Sequence, residues 1–349
     1  MKRVGNLFEQ MCSIENIRAA HAAARKGKRH YREVKQVEAA PDKHFEKLRA
    51  MLIAGEYKTA PYVPMTKRCS GKTREILKLP YFPDRIVHHC IVQVLAKTWD
   101  RSMIRDTYAC IPGRGIHDGV RRIKEALLDR AGTRYCLKMD VEKFYPSVDH
   151  DILKRILRRK IKDNQVLALL DEIIDSTERG VPIGNYLSQH FGNLYLSGYD
   201  HWMKEQMRCR HYFRYCDDVV ILDGDKGRLH ELRVLTQQYW RENLNLRLKS
   251  NWQVFPVDAR GLDFLGYRFF HGYTLLRKSI AARAKRRARR IKRSWPEMRP
   301  VSVVSSVSSY DGWMKHANCR NLRRSIFDDE MARIVSAVAK TDPKRKAAA

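Results

Sequence analysis

Apolar residues recur at helical spacing through the first sixty positions. Phe8, Met11, Ile14 and Ile17 form one series and Phe45, Leu48, Met51 and Leu52 another, so residues 1–60 read as mostly helical. A basic loop, Arg25 to Arg29, separates the two; such a loop either touches phosphate or is merely solvated. Between Pro61 and Pro83, Tyr62 to Thr66 and Thr73 to Leu79 flank a Cys69-Ser70-Gly71-Lys72 turn, the pattern of a β-hairpin. Helical spacing returns at Ile86, Val87, Ile91, Val94 and Leu95. A glycine-punctuated loop from Tyr108 to Ile116 leads into a helix predicted over 118–130. An apolar strand then ends on Asp140 and the run breaks at Pro146. Amphipathic helices follow over 150–159 and 165–176, and a turn from Gly180 to Asn185 feeds a long helix over 187–207.

The stretch from Phe213 to Leu222 organises what surrounds it. Tyr212, Phe213 and Tyr215 precede two adjacent carboxylates, Asp217 and Asp218, and Val219, Val220 and Ile221 follow, as in two strands joined by a tight acidic turn. A helix over 228–244, a strand over 252–256 and a strand pair over 262–276 complete a mixed sheet with helices on one face. From Arg277 to Arg299 lysine and arginine dominate, with Glu297 the only acid, at spacings that suit a helix with a basic face. A second helix is expected over 321–339, and the tail at 344–349 is expected to fray.

Composition narrows the function. The 349 residues carry a net charge of +30, which points to a polyanionic partner, most simply nucleic acid. No apolar run of transmembrane length and no signal peptide is present, so no membrane partner is expected. Eight cysteines are scattered without a CxxC pair, which argues against a zinc ribbon or disulfide framework and for a reducing, cytoplasmic setting.

Taken alone, Asp217-Asp218 reads as a solvated turn and Asp140 as a strand-end cap. If their strands share a sheet, the three carboxylates converge at its edge. Such a trio holds two Mg²⁺ ions roughly 3.5–4 Å apart for in-line phosphoryl displacement. Hard oxygen ligands suit that ion, which keeps waters and shares its shell with substrate phosphates.

In this order the residues resemble the reverse transcriptases. Arg74 in Thr73-Arg74-Glu75-Ile76 and the Pro83-to-His88 segment look like the fingers blocks, and Met139-to-Tyr145 like the first carboxylate block. Ile183-to-Gln189 looks like the loop and helix beside the templating base, and Tyr215-Cys216-Asp217-Asp218 is similar to the YxDD block. Asn245-to-Lys249 resembles the lysine block and Gly261-to-Phe269 the primer grip, so the likeness runs from about Lys67 to Phe270.

The resemblance implies an α+β right-hand polymerase. Residues 1–60 would be a helical extension, 61–276 the interleaved fingers and palm, and 277–349 a basic helical thumb. It implies an RNA-dependent DNA polymerase with two Mg²⁺ ions (Mn²⁺ able to substitute), acting on dNTPs, a template RNA and an RNA/DNA heteroduplex. Asp140 and Asp217 become metal ligands, with Asp218 more peripheral and the Val141 carbonyl assisting; Lys249 faces the leaving pyrophosphate. Arg74, with Lys72 or Lys67, pairs with the triphosphate, where Gly184 and Gln189 also lie, and Tyr145 is the steric gate against a ribose 2′-OH, its alternative being a core aromatic. Arg283, Lys285, Arg286, Arg287 and Arg290 grip the duplex backbone.

One departure refines the resemblance. Where most members read Gln-Gly-x-x-x-Ser-Pro, this chain has Ile183, Gly184, Ser188 and Gln189. That variant is similar to the enzymes of diversity-generating retroelements, which copy RNA with errors at adenines and act with a small basic accessory oligomer. Ile183 thereby becomes a fidelity position. Enzymes of bacterial defence systems or retron-like elements share the pattern. A non-catalytic RNA-binding protein would explain the charge but not the acids; a nicking nuclease would not need Tyr145 and Lys249.

Overall fold

The computed structural model describes residues 2–69 and 72–340; the Ser70-Gly71 turn tip, the side chains of Cys69 and Lys72, and the tail expected to fray lie outside the described residues. In chain order the helices and strands are α1 (Phe8–Cys12), α2 (Ile14–Ala24), α3 (Arg32–Ala39), α4 (Pro41–Ile53), β1 (Val63–Cys69), β2 (Lys72–Lys78), α5 (Ile86–Asp100) and β3 (Thr107–Tyr108). Next come α6 (Ile116–Ala126), β4 (Tyr135–Asp140), α7 (Phe144–Ser147), α8 (His150–Arg158), α9 (Asn164–Ile174), α10 (Ser188–His201), β5 (His211–Tyr215), β6 (Asp218–Asp223) and α11 (Lys226–Leu244). The chain continues through β7 (Gln253–Pro256), α12 (Val257–Arg260), β8 (Leu262–Phe264), β9 (Tyr267–Phe269), β10 (Thr274–Leu276), α13 (Lys278–Ser294), α14 (Pro300–Met314), α15 (Arg320–Ile326) and α16 (Asp329–Lys340).

Three sheets form: the β1–β2 hairpin, a β10-β9-β8 meander, and a mixed five-stranded sheet in the order β3-β5-β6-β4-β7. In the mixed sheet β3 runs parallel to β5, with Tyr108 opposite Tyr215. The order makes β6 and β4 neighbours, so the strand that ends on Asp140 lies beside the one that begins on Asp218.

Local chemistry explains most boundaries. Ser13 caps α2 by accepting from the Asn16 N–H at 3.1 Å, and Asp149 caps α8 by accepting from Ile152 at 3.1 Å. Asp163 caps α9 through Val166, while its other oxygen accepts from Leu7 at 2.8 Å and Phe8 at 3.1 Å. One carboxylate thus ties the N-terminal segment to a helix far along the chain.

Two expectations of the sequence are corrected. Helix α14 was not anticipated, because its Val- and Ser-rich run has no clear apolar period and buries only Val303 and Met314. The single helix expected over 321–339 is broken between α15 and α16, where Asp328 accepts from the Met331 N–H at 3.1 Å and starts the second helix.

By contact the chain falls into two compact units that do not follow the three-way division by sequence. One takes the described residues of 1–112, 138–221 and 230–253; the other takes those of 113–137, 222–229 and 254–349. The N-terminal helices belong to the first unit because they bury a shared apolar face, with Met11, Ile17, Ala20 and Leu48 fully inaccessible. In the second unit the meander joins the basic helices: the Tyr267 hydroxyl donates to the Trp313 carbonyl at 2.9 Å, and Asn318 accepts from the Thr274 N–H at 2.9 Å. Helix α13 buries a narrow seam of Ile280, Ala284, Ala288 and Ile291 at three- and four-residue steps, which leaves most of its cations outward.

Candidate active site

The site is built on the β5–β6 turn and the end of β4, all in the first unit. Aromatic and β-branched residues bury both strands of the hairpin, leaving Cys216 and Asp217 as the two-residue turn. Cys216 adopts a left-handed conformation, φ +54°, which a side chain beyond glycine rarely takes. At the end of β4, Lys249 holds Asp140 twice: its backbone N–H donates to the Asp140 carbonyl at 3.0 Å, and its Nζ lies 2.8 Å from Asp140 Oδ2. That bond and the charge behind it raise the lysine's pKa, so the ammonium is firmly charged.

Asp217 lies against Asp140. Burial first, and the Asp140 charge second, push the Asp217 carboxyl up to about 7. Asp218 behaves differently: its Oδ2 lies 3.3 Å from the Lys138 ammonium. The expected three-way convergence is therefore corrected to a pair with a flanking acid. Among the described residues no three carboxylates, thiols or imidazoles stand close enough together to hold an ion. Asp217 sits in the turn, whereas Asp218 opens β6 and pairs with the Lys138 ammonium on β4.

The pair nonetheless fits a hard divalent cation. Two half-buried carboxylates set side by side gain from a positive ion between them, and both offer hard oxygen donors. Magnesium is characteristically held by one or two carboxylates plus waters and substrate phosphates, so a protein set of two suffices. Asp140 and Asp217 would hold it; buried Val141, bridged to Leu248, is next along the chain.

Tyr145 stands beside this pair. Lys143, at φ +44°, turns the chain into the short α7, and the Tyr145 hydroxyl bonds the Cys216 side chain next to Asp217. Burial is the main cause of that phenol's raised pKa; burial first, and the Asp217 charge second, push the Cys216 thiol up to about 12 against the lowering effect of the Tyr145 bond. Gly180 lies under α7: a Cβ there would sit 2.5 Å from the Tyr145 carbonyl, and its φ of +68° favours glycine.

The Ile183–Gly184 segment docks on the β1–β2 hairpin. The Leu77 N–H donates to the Ile183 carbonyl at 2.8 Å, and a Cβ on Gly184 (φ +115°) would sit 2.6 Å from Ile76 Cγ2. Gln189 accepts from the Cys110 thiol at 2.5 Å. Arg74 is exposed and opposite Lys67 in the hairpin register, so the two cations share a face. No contact in the described structure brings Arg74 to the carboxylates.

Beside Gly184 opens a cavity of about 380 Å³ lined by Lys28, Lys67, Lys78, Arg85, His88 and Tyr186 among others. Burial and then the Arg85 charge lower the Lys28 pKa, and burial holds His88 down at about 3. Lys28 comes from the basic loop and Arg85 from the Pro83-to-His88 block, so two sequence signals that stood apart meet here.

Among the basic residues of α13, Arg283, Lys285, Arg286 and Arg290 are exposed. Arg287 is corrected: its Nε donates to Ser306 Oγ at 3.0 Å and its Nη2 to Ser302 Oγ at 2.8 Å, so its fork holds α14. The sequence reading also missed Arg214. An arginine between Phe213 and Tyr215, in a strand that must be buried, was the available signal. It is fully buried against Asp200; burial opposes its charge, but the Asp200 charge and hydrogen bonds together with its other neighbours leave the arginine's pKa raised.

The aspartate pair, with a lysine on one acid and an aromatic beside the other, is carried on a right-hand polymerase fold. Residues 64–269 match the family Reverse transcriptase (RNA-dependent DNA polymerase), more than half of the 349-residue chain. The chain belongs to that family and is an RNA-directed DNA polymerase.

Protein YkfC of Escherichia coli (strain K12) is 26% identical over 269 residues, spanning 63% of this chain and 70% of that protein. Nuclear intron maturase 1, mitochondrial, of Arabidopsis thaliana is 28% identical over 199 residues, 56% of this chain but 24% of the maturase. Group II intron-encoded protein LtrA of Lactococcus lactis subsp. cremoris is 24% identical over 171 residues, 46% of this chain and 28% of LtrA. The solved apo telomerase from Candida tropicalis aligns with TM-score 0.48 and 11% identity over 85% of this chain and 62% of that one. Among the described residues no helix is long and apolar enough to cross a membrane.

Proposed function

We propose that the chain copies a template RNA into cDNA by nucleotidyl transfer at the Asp140–Asp217 pair. The observation that carries this reading is Asp140 at the end of β4 beside the Asp217 turn, with Lys249 2.8 Å from Asp140. Magnesium bound there, with manganese able to replace it, would polarise the primer 3′-hydroxyl and offset charge on the leaving pyrophosphate. Lys249, whose Nζ lies 2.8 Å from Asp140, would present its ammonium to the departing phosphates. Tyr145 presents its ring where a ribose 2′-OH would collide, which selects deoxynucleotides. Arg74, with Lys67 across the hairpin and Lys72 beyond it, meets the triphosphate, and the cation-lined cavity beside Gly184 receives the template backbone. Residues 277–340 act as the thumb, with Arg283, Lys285, Arg286 and Arg290 on the duplex.

The finer reading is an error-prone enzyme of a diversity-generating retroelement, supported by Ile183 and Gln189 in place of glutamine and proline. An apolar contact discriminates between nucleotides less sharply than a polar one, because a mispositioned partner leaves no buried group unpaired. Working with a small basic accessory oligomer belongs to this reading. A second reading, an intron-type enzyme acting on its own structured RNA, is favoured by the likeness to LtrA and the maturase. Primer extension on RNA templates differing only in the templating base tests the choice. Under the first reading Ile183→Gln lowers errors opposite adenine. An unchanged error spectrum with retained activity sets that reading aside.

A further inference from the structure

Arg214 has no part in the chemistry above, yet its bonds are directed. Asp200 Oδ1 accepts from its Nε at 2.7 Å and Asp200 Oδ2 from its Nη2 at 2.5 Å, with both side chains wholly inaccessible. Nη1 does not serve the acid. It donates to the Cys216 carbonyl in the acidic turn at 2.8 Å and to Asn193 Oδ1 at 3.2 Å, while Nη2 also reaches the Asn193 carbonyl at 3.3 Å. Asn193 passes the connection on, its Nδ2 donating to the Ala109 carbonyl at 2.8 Å. Asp200 is held in turn by the Tyr212 hydroxyl at 2.5 Å and the Thr107 hydroxyl at 3.1 Å.

The two carbonyls so gripped belong to two turns with left-handed backbone at residues that carry a Cβ: Cys216 at φ +54°, and Ala109 and Cys110 at φ +88° and +55°. Such conformations persist only where the surroundings over-determine them. A buried ion pair is weak grounds for stability by itself, since well-packed apolar residues often serve as well. What an apolar pair cannot do is aim a planar fork at three separate acceptors.

We infer that Arg214, with Asn193 and Asp200, is a positioning clamp that fixes the Cys216 carbonyl, and so the aim of Asp217, against the Ala109–Cys110 turn whose thiol meets Gln189. The clamp rests on the reading of Asp140 and Asp217 as the reacting pair. It acts through the backbone and touches no substrate. Lysine cannot replace the arginine, because a single ammonium on a flexible stem reaches the acid or the turn but does not span both.

The test uses the full chain, an RNA template with a DNA primer, and three variants: Arg214→Lys, Asn193→Ala, and the double variant Asp200→Leu with Arg214→Met. The double variant leaves neither charge buried alone, so it keeps the fold where a single deletion fails to. Thermal midpoints, single-nucleotide incorporation across dNTP concentration, and Mn²⁺ binding by electron paramagnetic resonance without nucleic acid are measured.

The clamp predicts folded variants whose maximal rate falls on the order of 10²-fold, as for a slightly misplaced reacting group, with the half-saturating dNTP concentration little changed. Mn²⁺ binding should weaken by roughly 10–100-fold, the scale on which outer partners orient metal ligands. Parental rate or parental Mn²⁺ binding in a folded Asn193→Ala or double variant overturns the clamp. So does a rate loss that only tracks the folded fraction. Asp217→Asn run alongside separates the two ideas: if it still extends primers, the pair reading fails, whereas intact Mn²⁺ binding in the clamp variants fails the clamp alone.

Discussion

The β5–β6 turn and helix α13 are both charged regions, and they use charge in opposite ways. At the turn a few half-buried groups each have a fixed partner: Asp217 with Asp140, Asp140 with Lys249, Asp218 with Lys138. On α13 the outward cations are many and exposed, and Lys292, with Asp328 and Glu330, is a cation turned to the helix's neighbours. Desolvated charges are strong and geometry-bound, whereas solvated charges act as a screened sum. One region should therefore fail all at once and the other by degrees.

The largest expected effect breaks the pair. Asp217→Asn or Asp140→Asn should lower cDNA synthesis on the order of 10³-fold, the scale of a lost transition-state charge stabiliser, while filter binding of RNA persists. Residual extension within about tenfold of the parent would place the chemistry elsewhere.

The raised carboxyl gives a second test, on stability against pH. Its folded pKa of about 7 exceeds the unfolded value near 3.8, so the folded state binds the extra proton between those limits. In metal-free protein Asp217 should contribute a loss of stability as pH rises through that window toward 7, read as the difference between parent and Asp217→Asn, because buried His88, His89 and His190, with lowered pKa, gain stability over the same range. Divalent cation should remove that difference in slope. A parent-minus-variant difference that instead rises across the window contradicts the pairing.

Gly184 lies between the extremes. Gly184→Ala adds a Cβ 2.6 Å from Ile76 at φ +115°, and should cost about 1–3 kcal/mol through backbone strain, read by chemical denaturation. A neutral substitution would mean that the loop stands off the hairpin.

The smallest effects belong to α13. Arg283→Gln, Lys285→Gln, Arg286→Gln or Arg290→Gln should each weaken RNA binding a few-fold and reduce its salt slope by about 1. Arg287→Gln should leave that slope alone and lower the thermal midpoint, because its bonds go to Ser302 and Ser306. If all five behave alike, the division of α13 into outward and inward cations is wrong.

Much of the site was legible because its signals are local. Asp140 at a strand end, Asp217-Asp218 at a hairpin tip and the order of blocks from Lys67 to Phe270 are readable in short windows. The helix boundaries set by Ser13, Asp149 and Asp163 follow from capping within three residues. Helix α14 escaped because Val and Ser at irregular spacing favour no one period.

The sequence by itself determined the family, the polymerase class of fold and the residues able to do chemistry, since these depend on residue type and near-neighbour spacing. Tertiary structure decided which of them act together. It drew Asp218 to Lys138, set Lys249 on Asp140, brought Lys28 and Arg85 to one cavity, and turned Arg287 inward. It also buried Arg214 with Asp200. The cost of an unpaired buried charge, which only packing imposes, makes that partner obligatory and directs the remaining nitrogen to the turn.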